Sequence, residues 1–419
     1  MHRGAALLAL VCAACPPPPD LTPHARVRLE DGAAAPTDDP PPALAAPDAP
    51  QGVEVFELGP LAMTDGVSPE VLIDVDEQVR SFTLLVSAQP EAHVIVDRVL
   101  SPDGALVVDP DTPTDASRQA RQLSRGFVGP LLSMNRMVPK RGGGAFIVPN
   151  TPDVALVPGT WRARVRQGVV GVGADGTFEQ APLDRSVRLT VLVDTRATPS
   201  RARLEVALHF TGASGITAAS AANDPLVQQV TSTLGDTFDA VGVDAMVAGL
   251  FDVESGDALR TLTLAPDLCE DGDLATLLRA LEPTRGAVDV VFVDRMRCLV
   301  RGATTLDGYA GLAAAIPGDV LHEGGAHGGV AVALDIVGDD AQTAAFTVAH
   351  ELGHLLGLFH TMELVSGADL PIYDVISDTP DDPSFNANLM SAAPQPSTSL
   401  SDGQAFVLAV NPWLSASAE

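Results

Sequence analysis

The chain has 419 residues and a formal net charge of −29, with 46% hydrophobic and 4% aromatic residues. This length exceeds what one hydrophobic core normally serves, so we expect two folded domains with cores built mostly of Val, Leu and Ala. The acidic balance argues against a nucleic-acid-binding protein, because phosphate recognition needs a basic surface. A solvated acidic surface explains the charge, and a specific cationic partner is the alternative.

The first fifteen residues, 1–15, predict an export signal. Arg3 precedes a short apolar run at residues 5–11, and small residues separate this run from Cys15. The run is too short to cross a bilayer, so it indicates a secretory signal and not a membrane span. The ending Cys12-Ala-Ala-Cys15 resembles the lipobox of bacterial lipoproteins, although Leu is usual where Cys12 stands. The resemblance implies lipidation of Cys15 and a membrane contact only through that anchor; simple secretion is the alternative.

A proline-rich segment follows at residues 16–50. It contains eleven prolines and no aromatic residue. Such a composition cannot bury a core, so it predicts an extended tether that would hold the folded part away from a membrane surface.

Residues 51–197 carry short runs of β-forming residues separated by Pro, Gly and Asp. The runs fall at residues 70–75, 81–88, 92–100, 159–167 and 185–193. In one of them Trp161, Ala163 and Val165 alternate with arginines, which predicts a strand with one buried face. Several strands at this spacing predict an antiparallel β-sandwich domain.

The pattern changes in residues 198–419, after a Thr-, Pro- and Ser-containing boundary at 195–201. Predicted strands and helices now alternate, which indicates an α/β (α+β) domain. Strands are expected at residues 203–212, 287–296 and 328–336, and helices at 224–242 and 274–282. The chain is therefore predicted to be multidomain, with an N-terminal antiparallel β-sandwich followed by this α/β domain.

Two cysteines remain outside the signal, Cys269 and Cys298. In an exported protein, oxidising conditions favour a disulfide between them, which would stabilise the fold by roughly 3 kcal/mol. Two separate buried thiols are the alternative.

The stretch HELGHLLGLFH at residues 350–360 holds three of the nine histidines of the chain. Asp339-Asp340 can cap a helix that starts near Ala341 and runs through this stretch, and His350 and His354 then project from one face, one turn apart. Two neutral imidazoles in this arrangement suit a zinc ion, and Glu351 is placed to hold an activated water. Histidines of an ordinary helix surface or core are the alternative.

Gly357 and His360 extend the pattern beyond that helix. A glycine adopts positive φ readily, so Gly357 can end the helix and turn the chain sharply. The turn would return His360 as a third zinc ligand, whereas a straight helix would carry it off the shared face. The full pattern is specific for zinc.

The pattern resembles the HExxHxxGxxH motif of the metzincin clan of zinc peptidases. This chain matches the motif at His350, Glu351, His354, Gly357 and His360. The segment at residues 360–412 resembles the pappalysin-like branch or a related bacterial group. The resemblance implies a methionine turn, in which Met390 forms an apolar floor under the ligands without binding the metal. Several branches carry Tyr two residues after this methionine, where this chain has Ala392.

These residues predict a zinc endopeptidase with one catalytic Zn²⁺ ion. Glu351 would act as general base, and a protein or peptide substrate would lie along an edge strand at residues 329–335. A surface binding or adhesion protein with a catalytically idle zinc domain is the alternative, although an idle site has no need of Glu351.

Other clusters are less specific. Five aspartates before the methionine turn could bind Ca²⁺, but their spacing matches no fixed calcium motif and favours a polar loop; they are Asp369, Asp374, Asp378, Asp381 and Asp382. The loop at residues 322–329 could hold a second metal or be a solvated loop. His93 and His209 lie in strand patterns and are predicted to be structural.

Overall fold

The structure is a computed structural model of the chain. It describes all residues except 1–22, 31, 34, 37, 42–48, 109–139, 173–177, 255, 265–271, 282–285, 301–303, 320–325, 339, 365–370, 380–386, 393–396 and 417–419. The predicted export signal, with Cys15, therefore lies outside the described residues. Within them the chain is rich in β-strands, arranged in several sheets with few helices, as expected of a β-rich multidomain protein.

The N-terminal half forms two antiparallel sheets. Its strands are β1 (Ala25–Leu29), β2 (Val53–Leu61), β3 (Val71–Val75), β4 (Ser81–Ser87), β5 (His93–Leu100), β6 (Leu106–Val108), β7 (Lys140–Arg141), β8 (Gly143–Val148), β9 (Gly159–Val172), β10 (Phe178–Pro182) and β11 (Val187–Asp194). One sheet has the order β1-β3-β9-β5-β6, with β10 beside β9 and β7 beside β5. The other has the order β2-β11-β4-β8. The prediction of a β-rich N-terminal half with antiparallel sheets agrees with the structure.

The core of the sandwich follows the predicted alternation. Trp161, Ala163 and Val165 of β9 are at most 2% exposed and belong to one apolar cluster. The Trp161 ring meets Phe82 of the facing sheet edge-on, with ring centroids 5.6 Å apart. Its indole N–H donates to the Val157 carbonyl at 2.9 Å, so this polar atom is satisfied inside the core.

The tether prediction is wrong for part of residues 16–50. Ala25–Leu29 forms β1, which pairs with β3, and Ala25 is 3% exposed. The five residues Ala-Arg-Val-Arg-Leu alternate in polarity, as a half-buried strand requires. Prolines on either side of this run dominate the average composition of the segment, and that average hides the short strand.

The four-stranded sheet of the sandwich is buried on both faces. On its inner face, Phe82 and Leu84 of β4 belong to the sandwich core. On its other face, Leu85 of β4, Ala145 of β8 and Leu192 of β11 belong to the main core of the C-terminal half. This second face explains why residues 81–86 are all buried instead of alternating with solvent.

The C-terminal half combines strands and helices. Its strands are β12 (Ala202–Phe210), β13 (Val243–Asp252), β14 (Thr261–Leu264), β15 (Ala287–Val293), β16 (Arg295–Val300), β17 (Thr304–Asp307), β18 (Gly311–Ala313), β19 (Gly329–Ala333), β20 (Met362–Leu364), β21 (Pro371–Tyr373) and β22 (Ser415–Ala416). Its α-helices are α1 (Ala218–Ala221), α2 (Pro225–Asp239), α3 (Asp273–Ala280), α4 (Leu334–Val337), α5 (Ala341–Leu355) and α6 (Asp402–Ala409). Short 3-10 turns occur at Ala213–Gly215 and Gly256–Leu259.

The main C-terminal sheet has the order β13-β12-β15-β19-β18, with β22 beside β12. Strands β12, β13, β15 and β19 run parallel, and β18 is antiparallel to β19. The predicted edge strand at residues 329–335 is therefore wrong. Its first part is the inner strand β19, while Leu334 begins α4, and β18 forms the edge. All five residues of β19 are buried, as an inner strand requires.

The two predicted helices agree closely with the structure, as α2 and α3. Asp224 caps α2 by accepting from the Leu226 N–H at 2.9 Å, and Pro225 occupies the first turn. Among the described residues, no helix is both long enough and apolar enough to cross a membrane.

The predicted disulfide is only partly within the described residues. Cys298 lies in β16 and is fully buried. Cys269 lies outside the described residues, so the pairing stays a prediction.

Candidate metal centre

The helix α5 places the first two histidines. It begins after Asp340, whose carboxylate accepts from the Gln342 N–H at 3.1 Å and from the Thr343 hydroxyl at 2.6 Å. Apolar side chains of α5, among them Val348, Leu352 and Leu355, are fully buried in the main core. The opposite side carries His350 and His354, whose ring centroids are 4.7 Å apart.

The predicted turn after α5 is present. Gly357 has φ +104°, a conformation that side-chain-bearing residues rarely adopt. Its N–H donates to the His354 carbonyl at 2.8 Å, and the Leu358 N–H donates to the Gly353 carbonyl at 2.9 Å. This tight reversal returns His360 toward the helix face.

The three imidazoles converge through their Nε2 atoms. The Nε2 of His360 lies 3.0 Å from the Nε2 of His350 and 3.0 Å from that of His354. The Nδ1 atoms of the two helical histidines lie 2.7 Å from the carbonyl oxygens of Leu389 and Leu358, respectively. Because a carbonyl only accepts, each Nδ1 must carry the proton, which leaves the Nε2 lone pair for a cation.

This donor set fits a zinc ion. Tetrahedral zinc with Zn–N bonds of 2.0–2.1 Å requires ligand nitrogens about 3.3 Å apart, close to the separations around His360. The three histidines form the one cluster of potential metal ligands found among the described residues, with all ligand atoms within 4.8 Å of one another. His350, His354 and His360 could therefore hold a metal ion.

Met390 lies where the methionine turn was predicted. It is fully buried, and its Sδ would be 2.5 Å from a Cβ placed on Gly353 of α5. The Thr361 N–H donates to the Met390 carbonyl at 2.9 Å, which ties this turn to the segment that carries His360. Met390 is thus packed against the helix turn between His350 and His354, and its role as the floor of a metal site stays a prediction.

The turn is itself held by a buried amide pair. The Asn388 Nδ2 donates to Gln404 Oε1 at 2.8 Å, and the Met390 N–H donates to Asn388 Oδ1 at the same distance. Gln404 belongs to α6 and is fully buried. Both backbone and side-chain bonds therefore fix the carbonyl of Leu389 that orients His350.

Glu351 lies between the histidines and the edge strand. It is 7% exposed, and a Cβ placed on Gly311 of β18 would lie 2.5 Å from its Oε1. Only glycine at this position of β18 leaves room for the carboxylate. Glu351, His350 and His360 all line a cavity of about 320 Å³ that opens beside β18.

The cavity also contains a residue that the sequence did not single out. Tyr309, in the loop before β18, lines it together with Ala392, which stands two residues after Met390. Burial raises the pKa of the Tyr309 phenol above its ordinary value, so the hydroxyl stays protonated at neutral pH. No short motif connects Tyr309 to the histidines, so only the fold reveals this tyrosine.

The weaker candidates have structural partners where they are described. Asp374 accepts from the Thr379 hydroxyl at 2.6 Å and from the Ile376 N–H at 3.2 Å. Asp378 accepts from the Ser401 hydroxyl at 2.7 Å and from the Gly403 N–H at 2.8 Å, at the start of α6. The other three aspartates lie outside the described residues; they are Asp369, Asp381 and Asp382. The calcium site stays a prediction.

Three further histidines within the described residues have contacts of their own. His327 contacts the Arg141 carbonyl oxygen through Nε2 at 3.1 Å, while residues 320–325 of its loop are outside the described part. His93 and His209, which were predicted to be structural, are buried, and His209 lies 2.8 Å from the Asp289 carboxylate.

Comparison with known proteins finds structural matches but no sequence match. No protein-family model matches the sequence, and no curated protein matches it. One of the matching structures is metalloproteinase-II from Bacteroides fragilis, with 16% sequence identity and a TM-score of 0.27. The match covers 53% of this chain and 62% of that one, less than two thirds of its length. At this level the likeness carries no assignment.

Proposed function

We propose that this chain is a zinc-dependent endopeptidase of the metzincin type. The observation that supports the proposal is the convergence of the Nε2 atoms of His350, His354 and His360 beside the buried carboxylate of Glu351. A buried acid next to three neutral metal ligands is the arrangement that metal-assisted hydrolysis requires.

Each residue has a distinct part in the proposed reaction. A bound zinc ion would lower the pKa of its water to about 7 and polarise the carbonyl of the substrate. Glu351 accepts a proton as the attacking water forms its bond to the peptide carbon, and then delivers that proton to the departing amine nitrogen. Leu389 and Leu358 hold the helical imidazoles in the tautomer that leaves Nε2 unprotonated.

The substrate would bind along β18. This strand forms the edge of the main sheet. Its residue Gly311 lines the cavity next to Glu351. An extended peptide could add to the edge by backbone hydrogen bonds, which places a scissile peptide bond above the histidines. The proposal thus replaces residues 329–335 with Gly311–Ala313 as the substrate strand.

The decisive variant is Glu351→Gln. It keeps the shape of the side chain but removes the base, so we expect normal zinc content and a loss of peptide cleavage of at least about 100-fold. Metal analysis of the purified protein measures the zinc content, and digestion of a broad peptide library measures the cleavage. The exposed Glu91 allows the same substitution as a control, and Glu91→Gln should leave cleavage unchanged.

The outcome also separates the peptidase from a binding protein with an idle zinc domain. If the wild-type chain binds stoichiometric zinc but releases no peptide with or without a chelator, the endopeptidase proposal is wrong. Full activity of Glu351→Gln would instead remove Glu351 from the mechanism. Export, with an anchor at Cys15, forms part of the proposal and is tested by mass analysis of the mature N-terminus.

A further inference from the structure

The β-sandwich contacts the segment that precedes β22. The Ser81 hydroxyl of β4 donates to the Val410 carbonyl at 2.7 Å, and both groups are buried. Arg196, just after β11, donates to the carbonyls of Pro412 and Leu414 at 2.9 Å each. The guanidinium is held in place by Asp194, which it contacts at 2.7 and 2.9 Å. Three backbone carbonyls of residues 410–414 are thus bound by the sandwich.

The same segment reaches the end of the metal-binding helix. Asn411 is 1% exposed, and its Nδ2 donates to the Leu356 carbonyl at 3.0 Å. Its Oδ1 accepts from the Trp413 N–H at 2.9 Å, which fixes the orientation of the amide. Leu356 directly follows α5, so its carbonyl has no hydrogen-bond partner within the helix. Asn411 therefore closes the helix directly before Gly357.

A sandwich side chain also packs on the turn itself. A Cβ placed on Gly357 would lie 3.8 Å from Cγ2 of Ile147, which belongs to β8 and is 2% exposed. Val407 of α6 and Pro317 lie at 3.6 and 3.7 Å from the same point. The turn is therefore enclosed by the sandwich, by α6 and by the loop after β18.

Displacement of this turn would affect two metal ligands. The Leu358 carbonyl binds His354 Nδ1 at 2.7 Å, and His360 follows two residues later in the chain. Leu356, Gly357 and Leu358 thus orient one ligand through a hydrogen bond and carry another covalently. If a ligand side chain is held loosely, metal binding has to order it, and the entropy lost in that ordering lowers the affinity for the metal.

We propose that the β-sandwich is a scaffold of the metal centre, with Asn411 as the positioning residue for His360 and His354. The sandwich holds residues 410–414 through Ser81 and Arg196, and Asn411 transmits that constraint to the turn after α5. This inference rests on the proposed zinc site but assigns a role to the N-terminal half that the motif does not contain. The alternative is that the contact between the sandwich and residues 410–414 stabilises both halves of the chain but does not affect the positions of the histidines.

Metal affinity in the full-length chain distinguishes the two cases. Asn411→Asp keeps the size of the side chain and the acceptor for Trp413, but it cannot donate to Leu356. We expect its zinc dissociation constant, measured by competition with a chromophoric chelator, to rise about tenfold. The visible spectrum of the Co²⁺-loaded variant should also change, because that spectrum reports ligand geometry and does not depend on peptide cleavage.

A milder pair of variants covers the case in which Asn411→Asp fails to fold. Ser81→Ala removes the hydrogen bond to Val410 and should weaken zinc binding about threefold. Ser68→Ala is the matched control, because Ser68 is also buried in the sandwich but bonds to Pro69 and Val165 within it. Its zinc affinity should equal that of the wild type. Arg196→Met should behave like Ser81→Ala.

Four results decide between these possibilities. Zinc affinity within twofold of the wild type in both Ser81→Ala and Arg196→Met overturns it, as does an equal loss in Ser68→Ala. A wild-type chain that binds zinc but cleaves no peptide overturns the proposed function alone, since these measurements need no turnover. A wild-type chain without zinc affinity overturns both.

Discussion

Gly353 is the residue that lets Met390 pack closely against α5. It lies in α5 between His350 and His354, and Met390 Sδ occupies the space that a larger residue would need. Glycine in a helix interior normally costs about 1 kcal/mol relative to alanine. Here that cost is offset by close packing of a fully buried methionine against the backbone of the ligand helix.

We therefore expect Gly353→Ala to destabilise the protein. Its Cβ would lie 2.5 Å from Met390 Sδ, so the methionine must move, at a cost of about 1–3 kcal/mol for overpacking. The control is Gly235→Ala in α2, where nothing lies within 4 Å of the new Cβ and a gain of up to about 1 kcal/mol is expected. Urea unfolding measures both. A gain in Gly353→Ala would show that Met390 is loosely packed.

Residue-level predictions from sequence succeeded where the signal was local. The positions of His350, His354 and Gly357 follow from helix geometry and from the conformational freedom of glycine within one short stretch. Tyr309 and Asn411 could not be found in this way. Each reaches the site from a distant part of the chain, and neither has a periodic or spaced partner that marks it.

At the level of elements, α5 was predictable because its start and end have their own signals. Asp340 provides the N-cap and Gly357 the terminating turn. The edge strand was not predictable in this way. β18 has three residues, too few for alternation to appear. The longer apolar run of β19 was therefore predicted to be the edge strand. A run that is apolar on both faces favours an inner strand, and the structure places β19 there.

The cap of α5 gives a pH-dependent prediction. The hydrogen bond from the Thr343 hydroxyl, and then that from the Gln342 N–H, hold the pKa of Asp340 below its ordinary value. A lowered folded-state pKa gives stability that is present above the unfolded pKa of about 3.9 and is lost as the pH falls through the folded value. Asp340→Asn keeps a good cap but does not ionise.

We expect the wild type to lose stability relative to Asp340→Asn as the pH falls below about 4. Urea unfolding of both proteins at pH 6 and at pH 3.5 measures this difference. Because other acids titrate equally in the two proteins, their contributions cancel. A difference that is the same at both pH values would mean that the Asp340 charge makes no contribution to the cap.

At the level of the whole molecule, the two halves share one apolar core at the outer face of the four-stranded sheet. Leu85, Ala145 and Leu192 extend from the sandwich into the cluster that also contains Val348 and Leu352 of α5. The sequence predicted both architectures but not this contact. Leu84, Leu85 and Val86 are three consecutive apolar residues, which indicates burial on both faces, yet nothing in the sequence identifies what covers the second face.

Zinc should stabilise this shared structure by mass action. An ion that binds only the folded state adds about 4 kcal/mol when its free concentration is 1,000 times the dissociation constant. We expect the thermal unfolding midpoint to rise with zinc concentration and to fall on addition of a chelator, as measured by calorimetry.

His354→Ala should abolish the response, because its ring is one of the three that converge. His24→Ala in the sandwich, where His24 pairs with Asp76, should retain it. A midpoint independent of zinc in the wild type would contradict the assignment of the histidines as ligands, since a folded-state site with useful affinity cannot leave the unfolding equilibrium unchanged.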